Sequence, residues 1–300
     1  MKILVIGDFQ GVLLNKLKKD IEKEEFDIVV AVGDYGGLKD WKPYVMEILR
    51  RSRKGEETIS AKEFFGKKGL KTLLKREFES VKKILRYLDT IGKPVILIFG
   101  NSDDGWYDYA GEKLKRKKRR EKMKKSYKNY LGKLKNVKII HYGSKVARKL
   151  NFIGFGGYMD IEAFFSKEKF PSGVEQIPKR LNRHRYMRKL FFEIIKKSDN
   201  RKLKKIFVFH YPPYGVFDII RDKRNPMDGE SAGVKFFAEA VKKHKPLAVL
   251  CGHMEEYQGI KKLYGVPVIN PGAAQWGRYA ILDLDEEKKI RNIIFKRGKK

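Results

Sequence analysis

The sequence predicts an α/β protein built as a two-sheet β sandwich flanked by helices, in α-β-β-α layers, and three observations carry that expectation. Short β-branched runs alternate with longer amphipathic stretches from Lys2 to Phe99. The core runs are apolar without alternation, as strands buried on both faces are. From Ile260 onward the chain reads as strands with no helical pattern between them, so two sheets account for it better than one doubly wound sheet.

The elements follow in order. Lys2 to Ile6 reads as a strand, Val12 to Lys23 as an amphipathic helix and Asp27 to Val32 as a second strand. Pro94 to Phe99, Ile206 to Phe209 and Leu247 to Cys251 are further buried strands. Lys138 to Tyr142, Lys145 to Lys149 and Phe152 to Phe155, broken at Gly143-Ser144 and Gly156-Gly157, read as a ladder of hairpins. Val266 to Ile269, Tyr279 to Leu284 and Ile290 to Phe295 complete the set. There is no internal repeat and no Pro/Gly/Ser linker, so residues 1–300 are expected to form one domain with insertions near 41–70 and 111–135. The second insertion carries a basic run, Lys115 to Arg120, followed by Tyr127 and Tyr130. Such a run is either a solvated helix face or a phosphate-tracking surface with aromatic rings for stacking.

Composition narrows the classes. The apolar runs fall far short of the roughly 20 residues a membrane-spanning helix needs, so no membrane association is expected. The start, MKILVIGDF, reaches an acidic residue sooner than a secretory signal allows, which assigns the N terminus to the fold. A single cysteine, Cys251, excludes an internal disulfide and points to a reducing, cytoplasmic setting. The net charge of +32, from 69 Lys and Arg against 37 Asp and Glu, has two explanations. One is a polyanionic partner, RNA or DNA, met through a basic surface including 113–128. The other is the charge-rich composition of proteins from very hot environments.

The core strands end at polar residues: Asp8, Asp34, Asn101, His210 and His253. Ligands bind at the carboxyl ends of strands in open α/β sheets. Strung together, the motifs are Asp8-Phe9-Gln10, Gly33-Asp34, Gly100-Asn101-Ser102-Asp103, His210 and Gly252-His253-Met254-Glu255, followed by VINPGAA ending at Ala274. The series resembles the calcineurin-like metallophosphoesterase superfamily, whose pattern is D-x-H, G-D, G-N-H-[DE], a lone H and G-H-x-H; small archaeal and bacterial phosphodiesterases of that superfamily are the most similar in the last turn. The resemblance spans nearly the whole chain.

The resemblance implies two divalent metal ions (Mn, Mg, Fe or Zn) at the loops of one edge, with hydrolysis by a metal-bridging hydroxide. It assigns the second ion to Asp34, Asn101, His210 and His253, all present. The first would take Asp8, Asp34 and two histidines, in whose places stand Gln10 and Glu255. An all-oxygen set suits hard ions such as Mg²⁺, Mn²⁺ or Ca²⁺, whereas the imidazole-bearing set suits Mn²⁺, Fe²⁺ or Zn²⁺. The sequence permits a mixed pair, or one tightly held ion with a weak neighbour. Ser102 replaces a histidine that in the family stabilises or protonates at the scissile phosphate, with Asp103 beside it. A serine hydroxyl donates a hydrogen bond but is a poor general acid.

The expected catalytic residues are therefore Asp34, Ser102 and Asp103, and the expected substrate contacts are Tyr35, Asn101 and Tyr211, beside the ligands in sequence. The function so implied is a metal-dependent phosphodiesterase acting on a nucleotide or nucleic-acid phosphate. The alternative is a weakened or inactive descendant that binds nucleic acid or protein. His141, His184 and His244 match no motif and are read as surface or core residues.

Overall fold

The computed structural model describes residues 1–57, 59–103, 129–157, 159, 177–198 and 202–297, with the backbone alone over 177–183. Strands β1 (Lys2–Ile6), β2 (Ile28–Ala31), β3 (Val95–Leu97), β4 (Val137–Ile139), β11 (Tyr279–Leu284) and β12 (Ile290–Lys296) form one sheet in the order β12-β11-β1-β2-β3-β4. Its β1 to β4 run parallel, and β11 and β12 close it antiparallel. The other sheet orders β5 (Gly143–Ala147), β6 (Leu150–Phe155), β7 (Lys204–Phe209), β8 (Ala248–Leu250), β10 (Val266–Asn270) and β9 (Gly259–Leu263) in that sequence, with β6, β7, β8 and β10 parallel.

The unbroken apolar runs arise because both faces of the central strands are covered. In β1, Leu4 and Ile6 turn outward to the helices, while Ile3 and Val5 turn inward to meet Phe152, Ile206, Val208 and Leu250 of the second sheet. Each such side chain removed from water contributes roughly 1.5–3 kcal/mol. Helix α1 (Asn15–Glu22) buries Leu17 and Ile21 against the first sheet. Helix α2 (Lys42–Lys54) precedes α3 (Ala61–Thr90), which opens on a Ser60–Glu63 capping box and lays Val81, Ile84, Leu85 and Leu88 on the same core at helical spacing. Helices α4 (Ile177–Lys197) and α5 (Lys235–His244) cover the second sheet through Phe191, Phe236 and Phe237, the last stacked on Phe209 with ring centroids 4.0 Å apart.

Two expectations change. The hairpin ladder is not continuous: β4 pairs in parallel with β3 in the first sheet, and the chain then crosses at Ile140 to Tyr142 into the second, so that of the expected ladder β5 and β6 alone pair as a hairpin. Its turn is Arg148-Lys149, both at positive φ (51° and 62°), and Gly143-Ser144 opens β5 instead of breaking it. The first helix begins at Asn15, after a turn in which the Val12 N–H donates to the Phe9 carbonyl. Residues 41–70 of the first insertion become α2 and the start of α3. Most of the second insertion, including the basic run 113–128, lies outside the described residues.

Candidate metal centre

Five of the strands end beside one another. Asp8 follows β1, Asp34 follows β2, Asn101 follows β3, His210 follows β7 and His253 follows β8. The two sheets are joined at this edge by the His210 ring, whose Nδ1 lies 2.9 Å from the Val32 carbonyl oxygen. Asp8, Gln10, Asp34 and His253 all have left-handed backbone, with φ of 53°, 47°, 55° and 68°. Such conformations in non-glycine residues cost about 1–3 kcal/mol each and concentrate at functional sites. Here they turn the side chains inward as soon as each strand ends.

Backbone hydrogen bonds hold the turns together. The Phe9 and Gln10 N–H groups donate to the Asp34 carbonyl at 2.8 and 3.1 Å, and the His253 N–H donates to both carboxylate oxygens of Asp8 at 3.0 and 3.1 Å. Two glycines permit this closeness. A Cβ on Gly252 would stand 2.6 Å from Asp8 Oδ2, and one on Gly100 would stand 2.5 Å from the Asp34 nitrogen. The motifs need glycine at these positions because backbone passes directly over a carboxylate.

Asp8, Asp34 and His210 offer ligand atoms within 4.8 Å of one another, and all are buried. His210 Nε2 lies 2.8 Å from Asn101 Oδ1 and 3.4 Å from Asp34 Oδ1, while His253 Nδ1 lies 2.8 Å from the same Asn101 oxygen. Because His210 Nδ1–H is given to the Val32 carbonyl, the neutral ring directs a lone pair at two other lone-pair atoms. A proton or a metal ion at that convergence would relieve the contact, and a histidine anchored through a backbone carbonyl is the usual form of a metal ligand. Burial alone would lower the His210 pKa, but Asp34, the hydrogen bond to it and Asp8 outweigh burial and raise it to about 9. The surrounding carboxylates thus favour positive charge at this ring. Burial also drives Asp8 well above the ordinary carboxylate range, with Asp34 and Glu255 adding to it. For Asp34 burial acts the same way but is overcome by His210, and the group stays ionised. Buried carboxylates, two imidazoles and an amide oxygen together fit a divalent ion.

The remaining expected residues divide. Asn101, Ser102, Gln10, His253 and Glu255 are half-buried and line the mouth. The Ser102 N–H donates to Asp34 Oδ1 at 2.9 Å. Gln10 Nε2 donates to Asp34 Oδ2 at 3.0 Å. Burial, and then Asp34, raise the Glu255 carboxyl to about 7. Tyr211 packs on the His253 ring at 3.9 Å between centroids and is itself buried.

Asp103 and Tyr35 do not reach the mouth. Asp103 is fully buried and accepts from the N–H groups of Tyr35, Gly36 and Gly100, so it clamps the β2 and β3 loops. Tyr35 turns into the core between Phe9 and Phe99 and donates its hydroxyl to the Ile98 carbonyl at 2.9 Å, which leaves no group for a substrate. Two residues escaped the sequence reading. Gln275 donates to Glu255 Oε2 at 2.5 Å, and its position just after VINPGAA was the available signal. Glu77 of α3, buried, accepts from the Gly37 N–H and the Trp41 indole, both at 2.8 Å, and a lone acid within a helix gave no signal.

Among the described residues no helix is long and apolar enough to cross a membrane. No curated protein is significantly similar in sequence. Among solved structures, one crystal structure is 21% identical, covers 99% of this chain and 98% of its own, and superposes with a TM-score of 0.58, which shows a shared fold. The TT1561 protein of Thermus thermophilus is 17% identical over 99% of this chain and 98% of its own, with a TM-score of 0.47. A structure described as a novel archaeal phosphodiesterase is 16% identical over 99% and 100%, with a TM-score of 0.40. The family model described as metallophosphoesterase, calcineurin superfamily, matches residues 1–293, and with the strand-end motifs it makes this chain a member of that superfamily of metal-dependent phosphoester hydrolases.

Proposed function

We propose that the chain is a metal-dependent phosphodiesterase acting on a nucleotide or nucleic-acid phosphate. The observation that carries this reading is the convergence of His210 Nε2, Asp34 Oδ1 and Asn101 Oδ1 beside His253 and Asp8. Asp34, Asn101, His210 and His253 would hold a divalent ion, with Asp8 beside them. Bound there, the ion supplies Lewis-acid charge for a phosphoryl oxygen and lowers the pKa of water at the site. A second ion, if bound, would rest on Asp8, Asp34, Gln10 and Glu255.

The chain's own groups then act on the phosphate. Ser102, at the mouth, donates a hydrogen bond to a non-bridging oxygen, and its weakness as an acid favours substrates with good leaving groups. Asp103 is a positioning residue: by holding the Tyr35, Gly36 and Gly100 N–H groups it keeps Asp34 and Asn101 in register. Tyr211 positions His253 by ring packing. Nucleotide chemistry is supported by the net charge of +32 and by Trp276, 46% exposed, whose ring carries the Arg278 guanidinium at 5.0 Å one residue beyond Gln275. A single buried thiol, Cys251, accords with a cytoplasmic setting.

The test is hydrolysis of bis-p-nitrophenyl phosphate with Mn²⁺, Mg²⁺, Ni²⁺ or Zn²⁺. Metal-dependent turnover that disappears in Asp34→Asn is expected, and background rates with every ion would refute the enzyme reading. The replacement of a histidine by Ser102 favours a second reading, a non-catalytic module binding RNA or DNA through its basic surface. That reading requires binding that weakens steeply with salt while hydrolysis stays at background.

A further inference from the structure

Gln10 and Glu255, two of the three departures from the family pattern, are each tied up by a side-chain amide contact. Gln10 Nε2 donates to Asp34 Oδ2 at 3.0 Å. Glu255 Oε2 in turn accepts from Gln275 Nε2 at 2.5 Å. We propose that this centre holds one divalent ion, and that the Gln10 carboxamide, donating to Asp34, stands in for the other ion of the family pattern. The inference rests on the reading of Asp34, Asn101, His210 and His253 as the site of the ion that is kept.

The chemistry of the groups fixes the amide orientation. Carboxylates only accept hydrogen bonds, whereas an amide nitrogen carries two donors. With the Asp34 carboxylate in reach, Nε2 faces it, and Oε1 is turned away over Gly37, on the side of Ser102 Oγ. The backbone supports this pose: Gln10 has φ of 47° and its N–H donates to the Asp34 carbonyl at 3.1 Å. To ligate an ion through Oε1, the amide would have to reverse and surrender its bond to the Asp34 carboxylate, an anionic acceptor of the stronger kind.

Glu255 is held in a similar way, by the amide of Gln275. Among the described residues the acidic and imidazole groups that converge within 4.8 Å are Asp8, Asp34 and His210; His253 joins them through the Asn101 Oδ1 that His210 also meets, whereas Glu255 is tied to Gln275. Neutral amide N–H groups thus face both Asp34 and Glu255 where the family pattern has imidazole ligands. The paired substitutions are a matched exchange of two imidazole ligands for one donor and one acceptor.

Metal-free protein titrated with Mn²⁺ tests this through stoichiometry and spectrum, independently of turnover. Isothermal titration should give one equivalent per chain, and electron paramagnetic resonance should give the six-line pattern of an isolated Mn²⁺. Two equivalents, or the multiline spectrum of a coupled pair, would overturn the inference. In Gln10→His/Glu255→His a second equivalent should appear, and a folded double variant that still takes one would overturn the stand-in role of Gln10. The native stoichiometry alone keeps the single-ion claim falsifiable if that variant does not fold. One equivalent bound with background hydrolysis would defeat the proposed function and leave this inference standing; no equivalent bound would defeat both.

Discussion

Replacing Gly100 by alanine tests how the fold builds the centre. A methyl group at this position would stand 2.5 Å from the Asp34 backbone nitrogen and 2.7 Å from its carboxyl carbon, against 3.4 Å for ordinary contact. Neither neighbour can yield easily. The Asp34 carbonyl receives the Phe9 and Gln10 N–H groups, and the Gly100 N–H is bonded to Asp103 at 2.9 Å. The strain must therefore move the Asp34 carboxylate relative to His210 and Asn101 by several tenths of an ångström or more. Misplacement approaching 1 Å costs about 10²-fold in a site that depends on alignment, which is ~2.7 kcal/mol of ion affinity or transition-state binding. Isothermal titration with Mn²⁺ measures the affinity, and thermal unfolding in chelator separates a damaged site from a damaged fold. A Gly100→Ala protein that binds Mn²⁺ within twofold of the native would refute the claim that this close approach shapes the site.

Other outcomes follow from single contacts. Tyr35→Phe removes a buried hydroxyl bonded to the Ile98 carbonyl and should lower stability by about 1–2 kcal/mol in urea unfolding with kcat/KM unchanged; a raised KM with unchanged stability would make Tyr35 a substrate contact after all. Ser102→His should raise kcat about 10²-fold on diesters with poor leaving groups, and little on p-nitrophenyl esters; equal effects on both would exclude a proton-donor deficit. His141 accepts from the Phe99 N–H at Nδ1, and burial, with His210, holds its imidazole down at about 3. The unfolded chain takes up that proton near pH 6.5 and the folded chain does not, so stability is intact above 6.5 and lost at ~1.4 kcal/mol per pH unit below it. Urea unfolding of the native protein and His141→Gln at pH 7.5 and 5.5 should show a smaller pH loss in the variant; parallel losses would contradict the assignment. Cys251, fully buried, should be inert to a thiol reagent until guanidinium unfolds the chain.

The strands were readable because the sandwich buries both faces of its central members, which turns Ile3 to Ile6 and Ile206 to Phe209 into uninterrupted apolar runs. The expected ligands were readable for a related reason, since each terminates such a run. Sheet membership was not. Val137–Ile139 is an edge strand with exposed and half-buried residues, and nothing local records that it pairs with β3 while β5 joins the other sheet. Proximity in sequence also failed to give direction. Asp34 and Tyr35 are neighbours, yet the left-handed turn at Asp34 sends one side chain into the centre and the other into the core. Gln275 and Glu77 went unseen because their partners, Glu255 and the Gly37 loop, are brought to them only by tertiary folding.

The central claim is that the convergence of strand ends holds an ion. Crystals grown with Mn²⁺ and measured at wavelengths on both sides of the manganese edge test it directly. An anomalous peak enclosed by Asp34, Asn101, His210 and His253 is the predicted result. Full-occupancy Mn²⁺ elsewhere in the chain, with His210 still hydrogen-bonded to Asp34 and Asn101, would contradict it.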